Sequence, residues 1–340
     1  MQDWNFAELW NASLNYQPRT EYQPRERIWA SELYNAPVDL FLKLKGTNPS
    51  NVPDRRSMLK FDAGNKTEFI LRLMLLKIGI LKGSQKRVEF NQKGLLQVTG
   101  KVDFEAGGDI VENTAVNELL ELVGYPEDLI EQGKEIQKNI LKLYPKGLKD
   151  KIIELKSVAS FGMNRILLTQ QPIEGHELQA FHYAYNTGKD VELLYVCRDD
   201  WRIWSKTIKP NDEVLLKKYL DKIKRISDSY YSGEQPPKEP LIIYDELAGR
   251  FDRNFSVQYS SYLTMLYGFK HAEEYADWFK SKTKGWNAAL NWVAKGKKVT
   301  PKKQEALTQI EQAGFPVAPI IKTLVELASK GIVLEEEAEE

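Results

Sequence analysis

Apolar residues recur along the chain with two different spacings, and the changes between them predict alternating helices and strands. A spacing of three to four residues, or apolar residues on every face, favours a helix, whereas strict alternation favours a strand. The predicted helices cover residues 62–81, 114–144, 176–188 and 212–231, and the predicted strands cover 86–92, 95–104, 149–158, 191–199 and 201–208. Because the helix at 62–81 is apolar on nearly every face, we expect it to be buried.

The order of these elements predicts a mixed α/β core followed by a C-terminal helical region. Within the core, the strands at 86–92 and 95–104 are joined at Lys93-Gly94, which predicts a hairpin. The segment GEQPPKEP at 233–240 is the best linker candidate. The predicted parts are therefore a polar N-terminal arm at 1–26, a core at 27–232, a helical region at 241–332 and an acidic tail at 333–340.

Composition excludes several classes of protein. Apolar residues make up 42% of the 340 residues and charged residues 28%, which is too apolar for a wholly disordered chain. The single cysteine, Cys197, excludes an intramolecular disulfide framework, a cysteine-rich zinc site and a four-cysteine iron–sulfur cluster. The longest apolar stretch, 69–81, is too short to span a bilayer, and the N-terminus lacks the pattern of a secretory signal. We expect a cytoplasmic protein with no membrane partner.

Charge is balanced overall but unevenly distributed. Lys+Arg and Asp+Glu are equal at 48 each, so net charge argues neither for nor against a nucleic-acid partner. Residues 280–303, however, contain eight lysines and no acid, with Trp286 and Trp292 among them. Such a segment suits phosphate contacts with base stacking, although a solvated lysine face with packed tryptophans is an equal alternative. The predicted DNA contacts outside the core motifs are Lys295, Lys297, Lys298, Trp286, Arg55 and Arg56.

An acid and a lysine lie on one face of the strand predicted at 149–158. Glu154 and Lys156 are two residues apart, so both point to one side while Leu155 points into the core. Asp103 ends the earlier strand segment GKVD. Carboxylates at such a position can bind Mg²⁺ or Mn²⁺, and a lysine beside them can stabilise charge that develops on phosphorus. The alternative is an ordinary charge pair on a surface strand.

Two further segments carry polar residues at notable positions. Glu68 lies in GNKTE near the start of the apolar helix, which is a poor place for an unpaired acid, although the helix dipole favours an acid there. Gln179 and Tyr183 are spaced i, i+4 and share one helix face, as they would in any amphipathic helix.

These segments together resemble the motifs of the PD-(D/E)XK nuclease superfamily, and within it the RecB-like and phage-exonuclease branch. The matching segments occur in the family's order and are GNKTE (64–68), GKVD (100–103), ELK (154–156), QAFHY (179–183) and YVCRDDWRIW (195–204). The resemblance covers about residues 27–230. It implies a restriction-endonuclease-like core, with a mixed central sheet flanked by helices.

The resemblance also implies roles for individual residues. Asp103 and Glu154 would be the main ligands of Mg²⁺ or Mn²⁺, with the backbone carbonyl of Leu155 as another. Lys156 would activate or position the attacking water, and Glu68 would assist with a second ion or its water. In the helix motif, Gln179 and Tyr183 would position the DNA strand or the active-site groups.

The sequence departs from the family pattern in three respects. Asn65 stands where some relatives have a manganese-binding histidine, and the cysteines of the iron–sulfur relatives are absent, so no cluster is expected. The 51 positions from Asp103 to Glu154 imply a helical insertion at about 106–148.

The expected activity is metal-dependent hydrolysis of DNA phosphodiester bonds, by an exonuclease of phage or bacterial recombination, repair or processing. The sequence has no G-x-x-x-x-G-K-[ST] helicase motif, so the chain would act alone or with a helicase, recombinase or single-strand-binding protein. Two alternatives stay open: a catalytically inactive DNA-binding or scaffold protein on the same fold, and a site-specific endonuclease. If the protein is phage-encoded, its location would be the cytoplasm of a bacterial host.

Overall fold

A computed structural model describes residues 5, 20–109 and 127–329 of the chain. The strands are β1 (Arg27–Trp29), β2 (Leu81–Ser84), β3 (Arg87–Phe90), β4 (Gln97–Lys101), β5 (Phe104–Gly108), β6 (Leu148–Val158), β7 (Val191–Cys197), β8 (Ile203–Ile208), β9 (Ile242–Asp245) and β10 (Arg250–Arg253). The helices are α1 (Pro37–Leu44), α2 (Arg55–Ile78), α3 (Glu127–Leu143), α4 (Ser160–Thr169), α5 (Glu174–Thr187), α6 (Glu213–Ser232), α7 (Phe255–Gln258), α8 (Leu263–Tyr267), α9 (Ala272–Lys282), α10 (Trp286–Ala294), α11 (Pro301–Gln312) and α12 (Val317–Ser329).

A five-stranded mixed sheet organises the core, in the order β2-β5-β6-β7-β8. β6 runs parallel to β7, and the other neighbours are antiparallel. The parallel pair requires a crossover, which α4 and α5 provide. The predicted α/β class with a mixed sheet flanked by helices is therefore confirmed.

The two faces of β6 contact different helices because successive side chains point to opposite sides. Ile152 packs into the main hydrophobic cluster with Phe181 of α5 and Tyr219 of α6. On the other face, Leu155 packs with Leu75 of α2. Each large apolar side chain buried in this way contributes about 1.5–3 kcal/mol to folding, so both helices are fixed against the strand.

A second, three-stranded sheet has the order β1-β4-β3. β3 and β4 form the predicted hairpin, and Gly94 adopts φ +84° in the connection. The strand predicted at 95–104 does not continue through its last residues, because β4 and β5 belong to different sheets. The chain changes sheets at Val102 and Asp103: the Val102 N–H still donates to the Lys86 carbonyl beside β3 at 3.0 Å, whereas Phe104 pairs with Ile153 of β6. Asp103 thus lies at a corner between two sheets.

The helix around residues 62–81 differs from the prediction in its start and its burial. It begins at Arg55, with Asp54 capping Ser57, and it ends at Gly79 in a left-handed conformation. Leu75 is buried, but Phe69 on another face is 59% exposed. The prediction of a buried helix was wrong because only one face of α2 packs on the sheet among the described residues.

The connection between β5 and β6 is shorter than the predicted insertion at 106–148. Gly108 pairs with Leu148, so residues at both ends of the predicted insertion belong to the sheet. Helix α3 lies within the connection and confirms its helical character in part. Residues 110–126 lie outside the described residues.

The C-terminal region begins with the β9–β10 hairpin, which the prediction of an all-helical region missed because each strand has four residues. This region is packed on the core. Ser260 donates a 2.9 Å hydrogen bond to the buried Asp39 of α1, and Arg165 of α4 forms a 2.9 Å ion pair with Asp245 of β9.

The ends of the chain are described only in part. In the predicted arm at 1–26, Arg25 forms a 2.7 Å ion pair with Glu32, and its backbone N–H donates to Leu44 at 3.0 Å. Most of the arm, and the acidic tail at 333–340, lie outside the described residues. Among the helices that the structure describes, none combines the length and apolar composition needed to cross a bilayer.

Candidate active site

The corner at Asp103 brings its carboxylate to the middle of β6. Pairing between β5 and β6 ends at Phe104 and Ile153, so the backbone N–H of Leu155 lies two residues beyond the last pair. The Asp103 Oδ2 atom accepts this N–H at 2.8 Å. The side chain therefore takes the place of a missing strand neighbour and is fixed beside Glu154.

The Leu155 backbone offers a second polar group at the same place. In an extended strand the N–H and C=O of one residue point to the same side. Because the Leu155 N–H points to Asp103, its carbonyl oxygen points to the same edge. The carbonyl that the family resemblance suggested as a ligand thus lies on the Asp103 side of β6.

Lys156 connects Glu154 to helix α5. Its ammonium donates to Glu154 Oε1 at 2.6 Å and to Gln179 Oε1 at 2.7 Å. The Glu154 side chain is 2% exposed and the Lys156 side chain 17%. An ammonium has three donors, so these two bonds leave one N–H to point elsewhere.

Gln179 is held in turn by a buried tyrosine. Its side-chain amide donates to the Tyr183 hydroxyl at 3.3 Å, and that hydroxyl donates to the Lys101 carbonyl at 3.0 Å. Tyr183 is 1% exposed, so the predicted DNA contact by this residue is wrong. Gln179 is also buried, and its carbonyl oxygen faces Lys156. Both residues belong to the hydrogen-bonded chain that ends on Lys156, and the positioning role that the resemblance implied stays a prediction.

Glycine at position 100 is required by this arrangement. A Cβ atom there would lie 2.7 Å from the Tyr183 hydroxyl and 2.8 Å from the Ala30 Cβ. The first residue of the GKVD segment therefore has a packing role that sequence reasoning missed. Its signal was present in the motif, but the tyrosine that needs the space is 83 positions away.

The carboxylates of Asp103 and Glu154 are buried and electrostatically coupled. Burial raises the pKa of Asp103 well above its ordinary value, and the negative charge of Glu154 raises it further. Burial also raises the pKa of Glu154, although Lys156, and to a smaller extent a hydrogen bond with Asp103, oppose this shift. Among the described atoms, Glu154 Oε2 is buried and has no hydrogen-bond partner. The pair thus has the electrostatics of a site that needs a proton or a cation.

The donor set fits a divalent cation with oxygen ligands. Mg²⁺ is bound in proteins by one or two carboxylates, with waters and substrate phosphates completing its shell. Asp103, Glu154 and the Leu155 carbonyl supply oxygen atoms only. Across residues 20–109 and 127–329, no three His, Cys, Asp or Glu side chains group closely enough to form a metal site by themselves. An ion here would rely on this pair and on water.

Glu68 lies near the pair but is held by other residues. It accepts hydrogen bonds from Arg72 at 3.2 Å and from Gln85 at 3.1 Å. Its charge raises the pKa of both Asp103 and Glu154, which shows that it is within electrostatic range. Glu68 comes from α2, which covers the opposite face of the sheet, and this explains why it does not join the pair in one cluster.

The remaining predicted DNA-binding residues have different environments. Trp286 is 1% exposed and packs against Phe251, so its predicted contact with DNA is wrong. Arg55 is exposed at the first position of α2, and the side chain of Arg56 lies outside the described part of the structure. The three lysines Lys295, Lys297 and Lys298 are exposed.

Comparison with known proteins adds little to this description. No family model matches the sequence, and no curated protein matches it. A solved structure described as "Crystal structure of SSO0001" is similar with a TM-score of 0.38 and 13% identity, over 77% of this chain and 94% of that chain. A similarity at this level does not identify the fold or the function.

Proposed function

We propose that the protein is a Mg²⁺- or Mn²⁺-dependent DNA nuclease, with Asp103 and Glu154 as the ligands of the ion. The observation that carries the proposal is the buried carboxylate pair beside Lys156, in which one Glu154 oxygen has no donor among the described residues. A purely structural charge pair needs only Glu154 and Lys156. The charge of Glu154 raises the pKa of the buried Asp103, so holding both carboxylates ionised is costly without a cation, and this favours a cation site.

The chemistry is hydrolysis of a phosphodiester bond by water. The ion, when bound, lowers the pKa of a water and offsets negative charge on the scissile phosphate. Lys156 uses two of its N–H groups on Glu154 and Gln179, and the third is the group that can donate to a phosphate oxygen. That donor is worth most in the transition state, when negative charge builds on phosphorus.

The second layer of the site would keep Lys156 in place. Tyr183 fixes Gln179 against the end of β4, and Gln179 fixes the ammonium. Preorganised donors of this kind avoid reorganisation during the reaction. The arrangement therefore accounts for a glutamine and a tyrosine four residues apart without any contact to DNA.

The likeness of QAFHY to the RecB-like helix motif supports an exonuclease over a site-specific endonuclease. The same resemblance supports a role in DNA recombination, repair or processing, with a helicase, recombinase or single-strand-binding protein as a possible partner. These finer assignments rest on the motif resemblance.

Cleavage of end-labelled DNA tests the proposal. Linear duplex, circular duplex and single-stranded DNA are incubated with the protein in Mg²⁺, Mn²⁺ or EDTA. We expect cleavage with either ion and none in EDTA, and an exonuclease would spare the closed circle. Glu105→Gln is the matched control for Asp103→Asn, because Glu105 is a carboxylate of the neighbouring strand that pairs with Lys86 and Lys189 instead.

Asp103→Asn should abolish cleavage, and Glu105→Gln should retain it. Equal cleavage by wild type and a folded Asp103→Asn variant would refute the site. No cleavage by wild type in any ion, on any DNA form, would favour the inactive scaffold alternative.

A further inference from the structure

The connection between α10 and α11, together with the first turn of α11, is rich in positive charge. Residues 295–303, which we name the basic turn, contain five lysines and no acid. Four of them are exposed, and Lys303 is half-buried. The basic turn is therefore strongly positive, although the charges of the whole chain are balanced.

A tryptophan organises the basic turn. The indole N–H of Trp292 donates to the Lys298 carbonyl at 2.9 Å. The Lys297 ammonium lies over its ring at 4.4 Å from the centroid, and that of Lys303 at 5.7 Å. Both distances are within the range of cation–π attraction. Two lysines therefore lie against this ring, where they would compete with a base that stacked on it.

Trp286, the other tryptophan of this region, is buried and does not present its ring to a base. Trp286 packs edge-on against Phe251 and Phe315 and donates its N–H to Gln309 at 3.2 Å. The pattern of lysines with interleaved aromatics suggested phosphate contacts combined with stacking. Burial of Trp286 and the lysines that lie over Trp292 disfavour stacking, so contacts with phosphates are the favoured mode.

The helix dipole does not favour the two lysines at the start of α11. Lys302 and Lys303 lie in the first turn of α11, and that turn contains no acid. Cations at a helix N-terminus are opposed by the helix dipole. Like charges gathered around one ring also repel each other, so a bound polyanion would relieve an unfavourable arrangement.

The basic turn is connected to the active-site strand through packed elements. Asn287 of α10 accepts the backbone N–H of Phe251 in β10 at 2.8 Å. Asp245 of β9 pairs with Arg165 of α4, and α4 directly follows β6. These contacts connect α10, through the β9–β10 hairpin, to the helix that follows the active-site strand.

We propose that the basic turn binds the phosphate backbone of DNA without reading or stacking the bases. The inference rests on the proposed function only in taking the bound DNA to be the substrate of the active site. The turn would act as an anchor at a distance from the cut. Its affinity would then depend on salt, and it would not depend on sequence.

Salt-dependent binding in EDTA tests the anchor without cleavage. The variant is Lys295→Gln, Lys297→Gln and Lys298→Gln together, and the measurement is the slope of log K against log [NaCl] on one labelled duplex. Each phosphate contact contributes roughly 0.9 to this slope, so we expect the slope to flatten by up to about 2.7. The control replaces Lys134, Lys138 and Lys142 of α3 by glutamine, which removes the same charge from a surface where lysines alternate with glutamates.

An unchanged slope, or an equal change in the control, would overturn the proposal. A second comparison uses single-stranded oligonucleotides with bases and with abasic sites. The loss caused by the triple substitution should be the same on both, and a loss confined to the base-bearing strand would show base contacts and contradict the anchor.

Cleavage kinetics separate this proposal from the proposed function. If wild type cleaves DNA, the triple variant should show a raised KM with kcat unchanged, because uniform binding is lost. If wild type never cleaves but the slope flattens as expected, the anchor stands and the nuclease assignment fails. Binding of wild type to anionic lipid vesicles or an acidic peptide, with no binding to duplex, would assign the turn to another partner and overturn the proposal.

Discussion

Replacing Lys156 by alanine is the perturbation that separates an enzyme from a binding protein. The ammonium donates to Glu154 at 2.6 Å and to Gln179 at 2.7 Å, and these two bonds leave its third N–H for the proposed contact with a phosphate. Loss of a single preorganised donor to a developing negative charge costs about 10²- to 10³-fold in rate, or about 3–4 kcal/mol. DNA affinity should change far less, because ground-state binding is spread over many phosphates.

The same substitution should destabilise the protein in a pH-dependent way. Lys156 lowers the pKa of Glu154, so its removal lets burial raise that pKa further. A carboxyl whose folded pKa exceeds its unfolded pKa contributes stability below the unfolded value and loses it as pH rises through the folded value. Breaking a buried pair costs about 3–5 kcal/mol, and the partial exposure of Lys156 favours the lower end. The loss should therefore be larger at pH 8 than at pH 5.

Single-turnover cleavage, DNA binding and chemical denaturation at the two pH values measure these effects. Lys151→Ala is the matched control, because Lys151 lies on the same strand and pairs with Glu192 at 2.8 Å. A Lys156→Ala variant that cleaves at the wild-type rate, or that loses binding while its cleavage rate persists, would refute the role given to the ammonium. A loss of stability independent of pH would refute the electrostatic account of Glu154.

Three further predictions follow from the buried polar groups. Asp103→Asn should raise the unfolding temperature in EDTA at pH 8, because it removes a charge that burial disfavours. It should also abolish the increase in unfolding temperature that Mn²⁺ or Ca²⁺ gives wild type. Ca²⁺ should support little cleavage because its flexible geometry positions water poorly. Gly100→Ala should lower the free energy of unfolding, measured by chemical denaturation, by about 1–3 kcal/mol through overpacking against Tyr183, and it should slow cleavage. An unaltered stability would show that Tyr183 moves freely. Burial raises the pKa of Asp39 from the ordinary value of 3.8 to about 6, so wild type loses stability as pH rises from the lower value through the higher one. Asp39→Asn lacks this loss, so its stability relative to wild type should rise by about 2 kcal/mol between pH 4 and pH 7, and parallel pH profiles would contradict this.

The sequence alone predicted the strand and the helix that hold most of the candidate site residues, β6 and α5. Alternation along β6 correctly separated Leu155, in the core, from Glu154 and Lys156 on the other face. The spacing of Gln179 and Tyr183 placed both on one side of a helix, and the structure has them in one hydrogen-bonded chain. Both features could be predicted because they depend only on the directions of side chains within one strand or one helix.

Features that depend on distant partners could not be predicted in this way. Exposure of Phe69 follows from how much of α2 the sheet covers, and apolar composition alone favoured burial. Trp286 lies among lysines in the sequence but packs on a strand 35 positions away, at Phe251. The change of sheet at Asp103 depends on two partners that approach from different directions, and a local pattern does not contain them.

The most direct test of the account measures how single-turnover cleavage of one labelled linear duplex depends on Mn²⁺ concentration. Wild type, Asp103→Asn and Glu154→Gln are compared, each first shown to be folded. We predict saturable activation of wild type by Mn²⁺, and no activation of either variant at the concentrations that saturate wild type. A variant that reaches the wild-type rate with the same Mn²⁺ dependence would contradict the claim that this carboxylate pair holds the ion.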